Sequence, residues 1–290
     1  MGFERCHPAV NLIYFAAVLT GTVTFQHPAF LMISFLCAFA YSVKRNGWKA
    51  WIFNLCLLPL VAAFALYYSS YTHFGMTVLR QNMVGNNMTL ESLVYGVVLG
   101  AIGASGSMWF SCVFSIFTTD KVVYLFGKTS PRLSLFLAIL LRMIPRIKKE
   151  ARRINMAQQG IGKGANQGNI MQRLRNGMRI FSMLVTWTID SLTIASESMR
   201  SRGSNLRGRK AFSIYLFDNR DRLFVIGLFL CLTLTMMAIL LGQTDMVYDP
   251  EIIWIQVNPL FCIGYGILCL MPLGLELWTE YRFQKVRRMV

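Results

Sequence analysis

Six long apolar runs constrain the fold of this 290-residue chain more than any other feature. They cover residues 9–25, 28–43, 51–72, 92–118, 222–242 and 252–278. An α-helix needs about 20 apolar residues to cross the hydrocarbon core of a bilayer, where it satisfies its own backbone hydrogen bonds. Only 14% of the residues are charged, which is low for a soluble domain. The runs therefore predict an all-α, polytopic membrane helix bundle with about six spans.

The first two runs are short, and only the dipeptide Gln26–His27 separates them. Each run follows a His-Pro pair, and Pro28 suits the first turn of the second helix. We expect either a tight helical hairpin that crosses only part of the bilayer or a re-entrant pair at this position.

Lys and Arg collect in alternate loops. The loop 44–49 holds three of them, whereas the loop 70–91 holds only Arg80 and the loop 243–251 is purely acidic. Because cytoplasmic loops of membrane proteins collect Lys and Arg, we expect both termini and the segment between spans four and five to be cytoplasmic. The chain then has three regions. They are N-terminal transmembrane helices (1–118), a cytoplasmic coupling-helix region (119–220), and C-terminal transmembrane helices with a basic tail (221–290).

The segment between spans four and five carries most of the net charge of +16, with 20 Lys or Arg and six Asp or Glu in residues 119–222. The positive-inside rule and attraction to anionic lipid, at about 1 kcal/mol per residue near the surface, can explain this charge without any other partner. A nucleic-acid partner is not expected, because the segment is tethered between spans and contains no nucleic-acid-binding module.

Residues suited to metal or nucleotide chemistry are scattered along the chain. His27 and His73 have no acidic or Cys neighbours in sequence, and His7 follows only the single Cys6, so we expect no metal site. Six of the seven cysteines lie in apolar runs without a CxxC pair, and we expect core thiols. The string "GKT" at 127–129 resembles the end of a phosphate-binding loop, but Val122 occupies the place of its first glycine.

The apolar runs contain almost no charge in their interiors. Glu91, Glu276 and Glu280 lie at the predicted span ends, and no set of catalytic side chains is recognisable. Ion-coupled carriers usually place ionisable residues inside their spans. The sequence therefore favours a non-catalytic protein over the two alternatives, a stand-alone membrane channel or carrier and a membrane-embedded enzyme.

Small residues form a stripe on the fourth apolar run. Gly96, Gly100 and Ala104 recur every four residues and so share one helix face. Such a stripe lets another membrane helix approach closely. We expect that helix to belong to the same chain, with an external membrane partner as the alternative.

Two long amphipathic helices are predicted between spans four and five. Residues 131–159 place cations on one face and apolar side chains largely on the other, and Pro145 should kink the helix. Residues 170–202 carry an apolar stripe formed by Leu174, Phe181, Leu184, Val185, Ile189 and Leu192. Each pattern stops at a glycine. Two such helices would lie against one another or against the membrane interface and present their ends to the cytosol.

The end of the second helix carries the most distinctive residues, "SESMRSRGSN" at 196–205, preceded by "LVTWTIDSLTIA" and followed by "RGRKAFSIYLFDNRDR". This stretch resembles the second coupling motif of the transmembrane (T) component of energy-coupling factor (ECF) transporters, the EcfT/CbiQ family. Other strings resemble landmarks of that family in the same order, namely "HPAVNLIYF", "HPAF", "TLESLVYG", "TTDKVVYLFGKTSP" and "LRMIPRIKKEARRINMAQQGIG". The resemblance covers most of the chain and implies a membrane helix bundle with long cytoplasmic coupling helices.

The resemblance also implies a function and partners. In that family the T component is a non-catalytic scaffold that joins two cytosolic ABC-type ATPase subunits to a small membrane protein, which captures a vitamin or a metal ion. ATP and Mg²⁺ bind to the ATPases, so no cofactor is implied on this chain. The implied location is the plasma membrane of a prokaryote. The capture subunit chooses the transported substrate, which this sequence therefore does not specify.

The resemblance assigns ATPase coupling to two helix ends, Ser201-Arg202-Gly203 and Gln158-Gln159-Gly160. Arg202 can form a bidentate, charge-assisted hydrogen bond to a carboxylate, and Gly203 lets the helix end enter a groove. Gln159 replaces the Arg of the family, and glutamine cannot form an ion pair. We expect weaker docking at this end, or compensation by nearby arginines, and the mismatch hints at two different ATPases. Supporting contacts are expected from Arg142, Arg146, Arg152, Arg153 and Arg200.

Overall fold

The computed structural model describes residues 2–72, 74–81, 87–203, 215 and 217–287. Within these ranges the chain forms nine α-helices, a short 3₁₀ turn at Phe3–Arg5 and one small antiparallel hairpin. The helices are α1 (Pro8–Thr24), α2 (Pro28–Asn46), α3 (Trp48–Tyr71), α4 (Leu90–Ile116), α5 (Thr119–Thr129), α6 (Pro131–Gly160), α7 (Ile170–Ser201), α8 (Asn219–Leu240) and α9 (Pro259–Arg287). The hairpin pairs β1 (Val78–Gln81) with β2 (Asn87–Thr89). The predicted all-α, polytopic membrane bundle is confirmed.

Five helices of the described chain are long and apolar enough to cross a membrane: α2, α3, α4, α8 and α9. The sixth apolar helix, α1, has 17 residues, which correspond to about 25 Å of helix against a hydrocarbon core of about 30 Å. Of the two short runs, only α1 is therefore below spanning length. The last run also differs from the prediction, because its first seven residues, 252–258, precede the helix.

Two compact units make up the chain. One comprises residues 1–118 and 215–290 and contains α1 to α4, α8 and α9. The other comprises residues 119–214 and contains α5, α6 and α7. The first unit is the apolar bundle, and the second contains the two long amphipathic helices.

Two histidines begin the first two helices in the same way. The Nδ1 atoms of His7 and His27 each accept a hydrogen bond from the backbone N–H two residues later, at 3.2 Å. Pro8 and Pro28 follow as the first helical residues, where the missing N–H of proline costs no helical hydrogen bond. The repeated His-Pro pairs are therefore helix-capping residues, with an imidazole in place of the usual Ser, Thr, Asp or Asn.

The six helices of the bundle alternate in direction. The N–H of His7, before α1, donates to the Asp221 carboxylate in the first turn of α8 at 3.4 Å. The N–H groups of Gln26 and His27, after α1, donate to the carbonyl of Thr244, which follows α8, at 3.2 and 3.0 Å. Helices α1 and α8 are therefore parallel, and the residues that flank α1 contact the first turn of α8 and the segment after its end. The short α1 reaches from one end of the bundle to the other.

Ion pairs gather at one end of the bundle, which we call the basic end. There Arg45 of α2 pairs with Glu4 and Lys44 pairs with Glu280 of α9, both at 2.6 Å. Arg45 also donates to the hydroxyl of Ser115 in the last turn of α4, at 3.1 Å. The ends of α2, α4 and α9 therefore meet here, together with the start of α1. The end of α4 and the start of α8 both lie at this end.

The opposite end is closed by aromatic packing. Tyr248 is buried against Tyr95 of α4, and its hydroxyl donates to the carbonyl of Gln26 at 2.8 Å. Burial raises the pKa of Tyr248 to about 12. Burial also lowers the pKa of His27 below its ordinary value, which favours the neutral imidazole that caps α2.

Large side chains fill the bundle interior, and the polar atoms of two of the largest have partners. The indole of Trp109 donates to the Ser34 hydroxyl at 3.2 Å, and the hydroxyl of Tyr14 donates to the carbonyl of Cys269 at 3.1 Å. Such pairing is needed where no water is available. Cys269 is one of the expected core thiols, but the prediction is wrong for Cys56, which is exposed. Helix α3 buries few of its residues, and Cys56 lies on its outer face.

Candidate partner-docking site

The C-terminal end of α7 exposes a cation next to a glycine turn. Ser201 is the last helical residue, and its hydroxyl folds back to donate to the Ser198 carbonyl at 2.9 Å. The Arg202 side chain is exposed, and its guanidinium has no ion-pair or hydrogen-bond partner among the described residues. Gly203 has a φ of 76°, a left-handed conformation that favours glycine. The turn ends the helix directly after Arg202 and leaves this side chain available to a partner.

The C-terminal end of α6 presents two glutamines in different environments. Gln158 is half-buried, and its Nε2 lies 3.8 Å from the sulfur of Met183 in α7. Gln159 is exposed, although its Cγ lies where a side chain at Gly164 would otherwise stand. Gly160 is exposed with open space around it. Of the two glutamines, only Gln159 has an exposed side chain.

Side-chain amides fold the loop between α6 and α7. The side-chain amide oxygen of Asn155 accepts a hydrogen bond from the backbone N–H of Ala165 at 3.0 Å. The Asn176 amide donates to the carbonyls of Gly164 and Gln167 at 3.2 and 3.4 Å. Asn169 caps α7 in a reciprocal capping box with Gln172, whose side chain accepts from the Asn169 N–H. The loop therefore holds the end of α6 against the side of α7. The role of these asparagines could not be predicted from the helical periodicity of the sequence.

The two predicted docking ends are not brought together. Gln158 contacts Met183, and Ser201 lies 18 residues further along α7. At 1.5 Å per residue these 18 residues span about 27 Å. A single small groove cannot hold both ends, so the geometry suits two separate contacts.

The predicted supporting arginines are all exposed, but they differ in their distance from the helix ends. Arg200 lies beside Arg202, and Arg152 and Arg153 lie within two turns of Gln158. Arg153 pairs loosely with Glu150 at 3.5 Å, with 79% of its side chain exposed. Arg142 and Arg146 lie about 24 and 18 Å before Gln158 along α6. These last two are therefore poorly placed to reinforce a contact at the α6 end.

The small-residue stripe of α4 faces α3. A Cβ atom on Gly96 would lie 3.0 Å from the backbone of Ala65, and one on Gly100 would lie 3.0 Å from Val61. Ala104 is buried on the same face. At Gly96 and Gly100, α3 therefore approaches α4 so closely that an added side chain would require its neighbours on α3 to shift. Further along α4, a Cβ on Gly103 would meet nothing within 4 Å.

The string "GKT" at 127–129 ends α5. A phosphate-binding loop instead comes before a helix, so that backbone N–H groups at the helix N-terminus face the phosphates. The string is therefore part of the last turn of a helix and not a loop that could surround a phosphate. In the part of the chain that the structure describes, no three His, Cys, Asp or Glu side chains are grouped as metal ligands would be.

These features define a class of protein, a polytopic membrane helix bundle that carries two long amphipathic helices with exposed polar ends. The chain is similar to a protein from Streptococcus thermophilus described as "Energy-coupling factor transporter transmembrane protein EcfT", with 31% identity over 111 residues. The similar region covers 37% of this chain and 41% of that protein, so the chain matches about two fifths of its relative. No protein-family model matches the chain. The similarity supports a membrane component of an ECF transporter.

Proposed function

We propose that this chain is the non-catalytic transmembrane scaffold of an ATP-driven ECF-type importer. It would join two cytosolic ABC-type ATPases to a small substrate-binding membrane subunit that takes up a vitamin or a metal ion. ATP and Mg²⁺ would bind to the ATPases, and the basic end of the bundle would face the cytoplasm of a prokaryote. The partial similarity to an EcfT protein supports this proposal.

The observation that carries the proposal is the end of α7. Arg202 is exposed and has no partner within the described ranges, and the left-handed Gly203 ends the helix immediately after it. A cation at a helix end that interacts only with the dipole of its own helix would gain about 0.3–1 kcal/mol. A guanidinium that meets a carboxylate on a partner gains a bidentate bond worth about 1.5–3 kcal/mol. The exposure of the Arg202 side chain suits a contact with a carboxylate on a partner.

The α6 end would form the second, weaker contact. Gln159 is exposed and can donate and accept hydrogen bonds, but it carries no charge. Arg152 and Arg153 lie close enough to add charge at this end. The unequal ends, about 27 Å apart along α7, would suit two ATPases that are not identical.

Co-purification tests the proposal. The tagged chain is extracted from its native membrane in mild detergent, and the proteins that elute with it are identified by mass spectrometry. We expect two ABC-type ATPase chains and one small membrane protein, whose ligand would name the substrate. A chain that elutes alone and produces a substrate flux by itself in proteoliposomes would instead be a channel or carrier.

The ranking of the two ends has its own test. Arg202→Ala should reduce the amount of bound ATPase more than Gln159→Ala does, because only the first change removes a charge. Equal losses would refute the ranking. A loss confined to Gln159→Ala would assign the stronger contact to α6.

A further inference from the structure

One face of α7 is covered within the second unit. Asn176 bonds the loop carbonyls of Gly164 and Gln167, and Met183 contacts Gln158 of α6. Residues 176 and 183 are seven positions apart and therefore lie on the same face of the helix. The α6 end and its loop pack against this face, so the opposite face of α7 points away from them.

That opposite face is a long apolar stripe. Its side chains are between 39% and 82% exposed: Ile170, Met171, Leu174, Met178, Phe181, Val185, Ile189 and Leu192. The stripe extends over about 33 Å of helix. No residue of α7 is buried. Uncovered apolar surface of this extent marks a contact with a protein or with a membrane.

The first half of this helix, residues 170–181, also carries positive charge without any acid. Arg173 and Arg175 lie about 100° to either side of the centre of the apolar stripe, and Arg179 lies further round. Asp190 and Glu197 belong to the second half of α7 and lie on its polar side. An apolar face flanked by cations is the pattern of helices that lie in the plane of an anionic membrane surface.

Arginines in this half are free to contact a surface. Arg175 and Arg179 are exposed and have no ion-pair or hydrogen-bond partner in the described ranges. Arg173 is also exposed, but its Nε donates to the Gly168 carbonyl at 3.0 Å, which ties it to the loop.

We propose that residues 170–181 of α7 form an in-plane anchor that binds the anionic headgroup surface of the bilayer. The apolar side chains around Met178 and Phe181 enter the boundary between headgroups and acyl chains, and Arg175 and Arg179 contact headgroup phosphates. The charge pattern favours an anionic lipid surface as the binding partner, because a row of cations with no acid complements negative charge. The anchor goes beyond the proposed scaffold function and does not depend on any ATPase.

Hydrogen–deuterium exchange of the purified full chain tests the anchor. The chain is placed in nanodiscs of phosphatidylcholine alone or of equal parts phosphatidylcholine and phosphatidylglycerol, with no other protein present. A helix with no buried residue should exchange rapidly unless a membrane holds it. Each cation near an anionic surface contributes about fivefold, so exchange in residues 170–181 should slow by roughly 25-fold in the anionic discs. High salt should reverse this slowing.

Two matched pairs of substitutions make the test specific. Arg175→Gln with Arg179→Gln should abolish the difference between the two lipids, whereas Lys148→Gln with Lys149→Gln, an equal charge change at exposed positions of α6, should preserve it. Met178→Ser with Phe181→Ser should speed exchange of this segment in both lipids, while exchange in α4 stays unchanged.

Three results would overturn the anchor. They are equal exchange of residues 170–181 in the two lipids, equal losses for the two cation pairs, and protection that appears only when a protein partner is added. The last result would assign the stripe to a protein contact instead.

Discussion

The close approach of α3 and α4 leads to a prediction that compares two glycines on one helix. A Cβ atom on Gly96 would lie 3.0 Å from both the Cα and the carbonyl oxygen of Ala65, and 3.3 Å from the Cβ of Tyr68. Ordinary contacts of a Cβ atom are 3.4 Å or longer. Backbone atoms cannot rotate away, so α3 and α4 must move apart by several tenths of an ångström. Gly103, on the same helix, has open space around it.

The magnitude follows from two opposing effects. Overpacking a tight contact costs about 1–3 kcal/mol. Replacing glycine with alanine inside a helix stabilises the helix by about 1 kcal/mol. Gly96→Ala should therefore change the free energy of unfolding by about 0 to −2 kcal/mol, whereas Gly103→Ala should raise it by up to about 1 kcal/mol. The difference between the two variants is about 1–3 kcal/mol.

The assay is equilibrium unfolding of both variants in mixed micelles, with helicity followed by circular dichroism. A difference of 1.4 kcal/mol corresponds to about tenfold in the unfolding equilibrium constant. If Gly96→Ala is as stable as Gly103→Ala, the close contact between α3 and α4 does not limit the side chain at residue 96, and the reasoning from the distances is wrong.

Three further predictions concern the two ends of the bundle. Burial lowers the pKa of His27, so the unfolded chain binds a proton at this residue more readily than the folded chain does. Thermal stability should therefore fall as the pH drops below about 6.5. His27→Asn keeps a capping side chain and should weaken this pH dependence in melting curves. Arg45→Met should lower the free energy of unfolding by about 1–3 kcal/mol, and Lys44→Met should lower it by less than about 1 kcal/mol. The reason is that the Arg45 side chain is 21% exposed and the Lys44 side chain is 35% exposed. Equal effects of the two variants in denaturant titrations would contradict this order. Tyr248→Phe should cost about 1 kcal/mol in the same titrations, since it removes one partly buried hydrogen bond, and an unchanged midpoint would show that this bond is not needed.

Helix boundaries were predictable where the sequence provides clear stop and start signals. The pattern placed the two long helices at 131–159 and 170–202, and the structure has them at Pro131–Gly160 and Ile170–Ser201. Pro131 and Gly203 mark two of these boundaries through their backbone preferences. Pro145 lies within α6, and the helix continues through it.

Hydropathy alone misplaced the start of the last helix. Residues 252–258 are apolar enough to join the run, but Ile253 pairs with Val247 in an isolated β-bridge and α9 begins only at Pro259. Asn258 precedes it, and its side chain accepts from the Leu260 N–H at 3.1 Å. This Asn-Pro pair is a helix-start signal that the length of the apolar run concealed.

Residue types at the docking ends were visible in the sequence, but their surroundings were not. Periodicity predicts that α7 is amphipathic, but it does not say which face α6 covers. That depends on the amide of Asn176 reaching loop carbonyls, a contact between residues up to 12 positions apart with no periodic pattern. Part of the landmark string at 207–222 lies outside the described residues, as does His73.

The most direct test of the scaffold function is the amount of ATPase that co-purifies with an Arg202→Glu variant, measured against wild type and against Lys148→Glu. Lys148 is an exposed cation on α6, so it matches the charge change away from the docking ends. Loss of a charge-assisted bond worth about 1.5–3 kcal/mol predicts at least tenfold less bound ATPase for Arg202→Glu and no change for Lys148→Glu. Full retention of the ATPases by Arg202→Glu would contradict the central role of the α7 end.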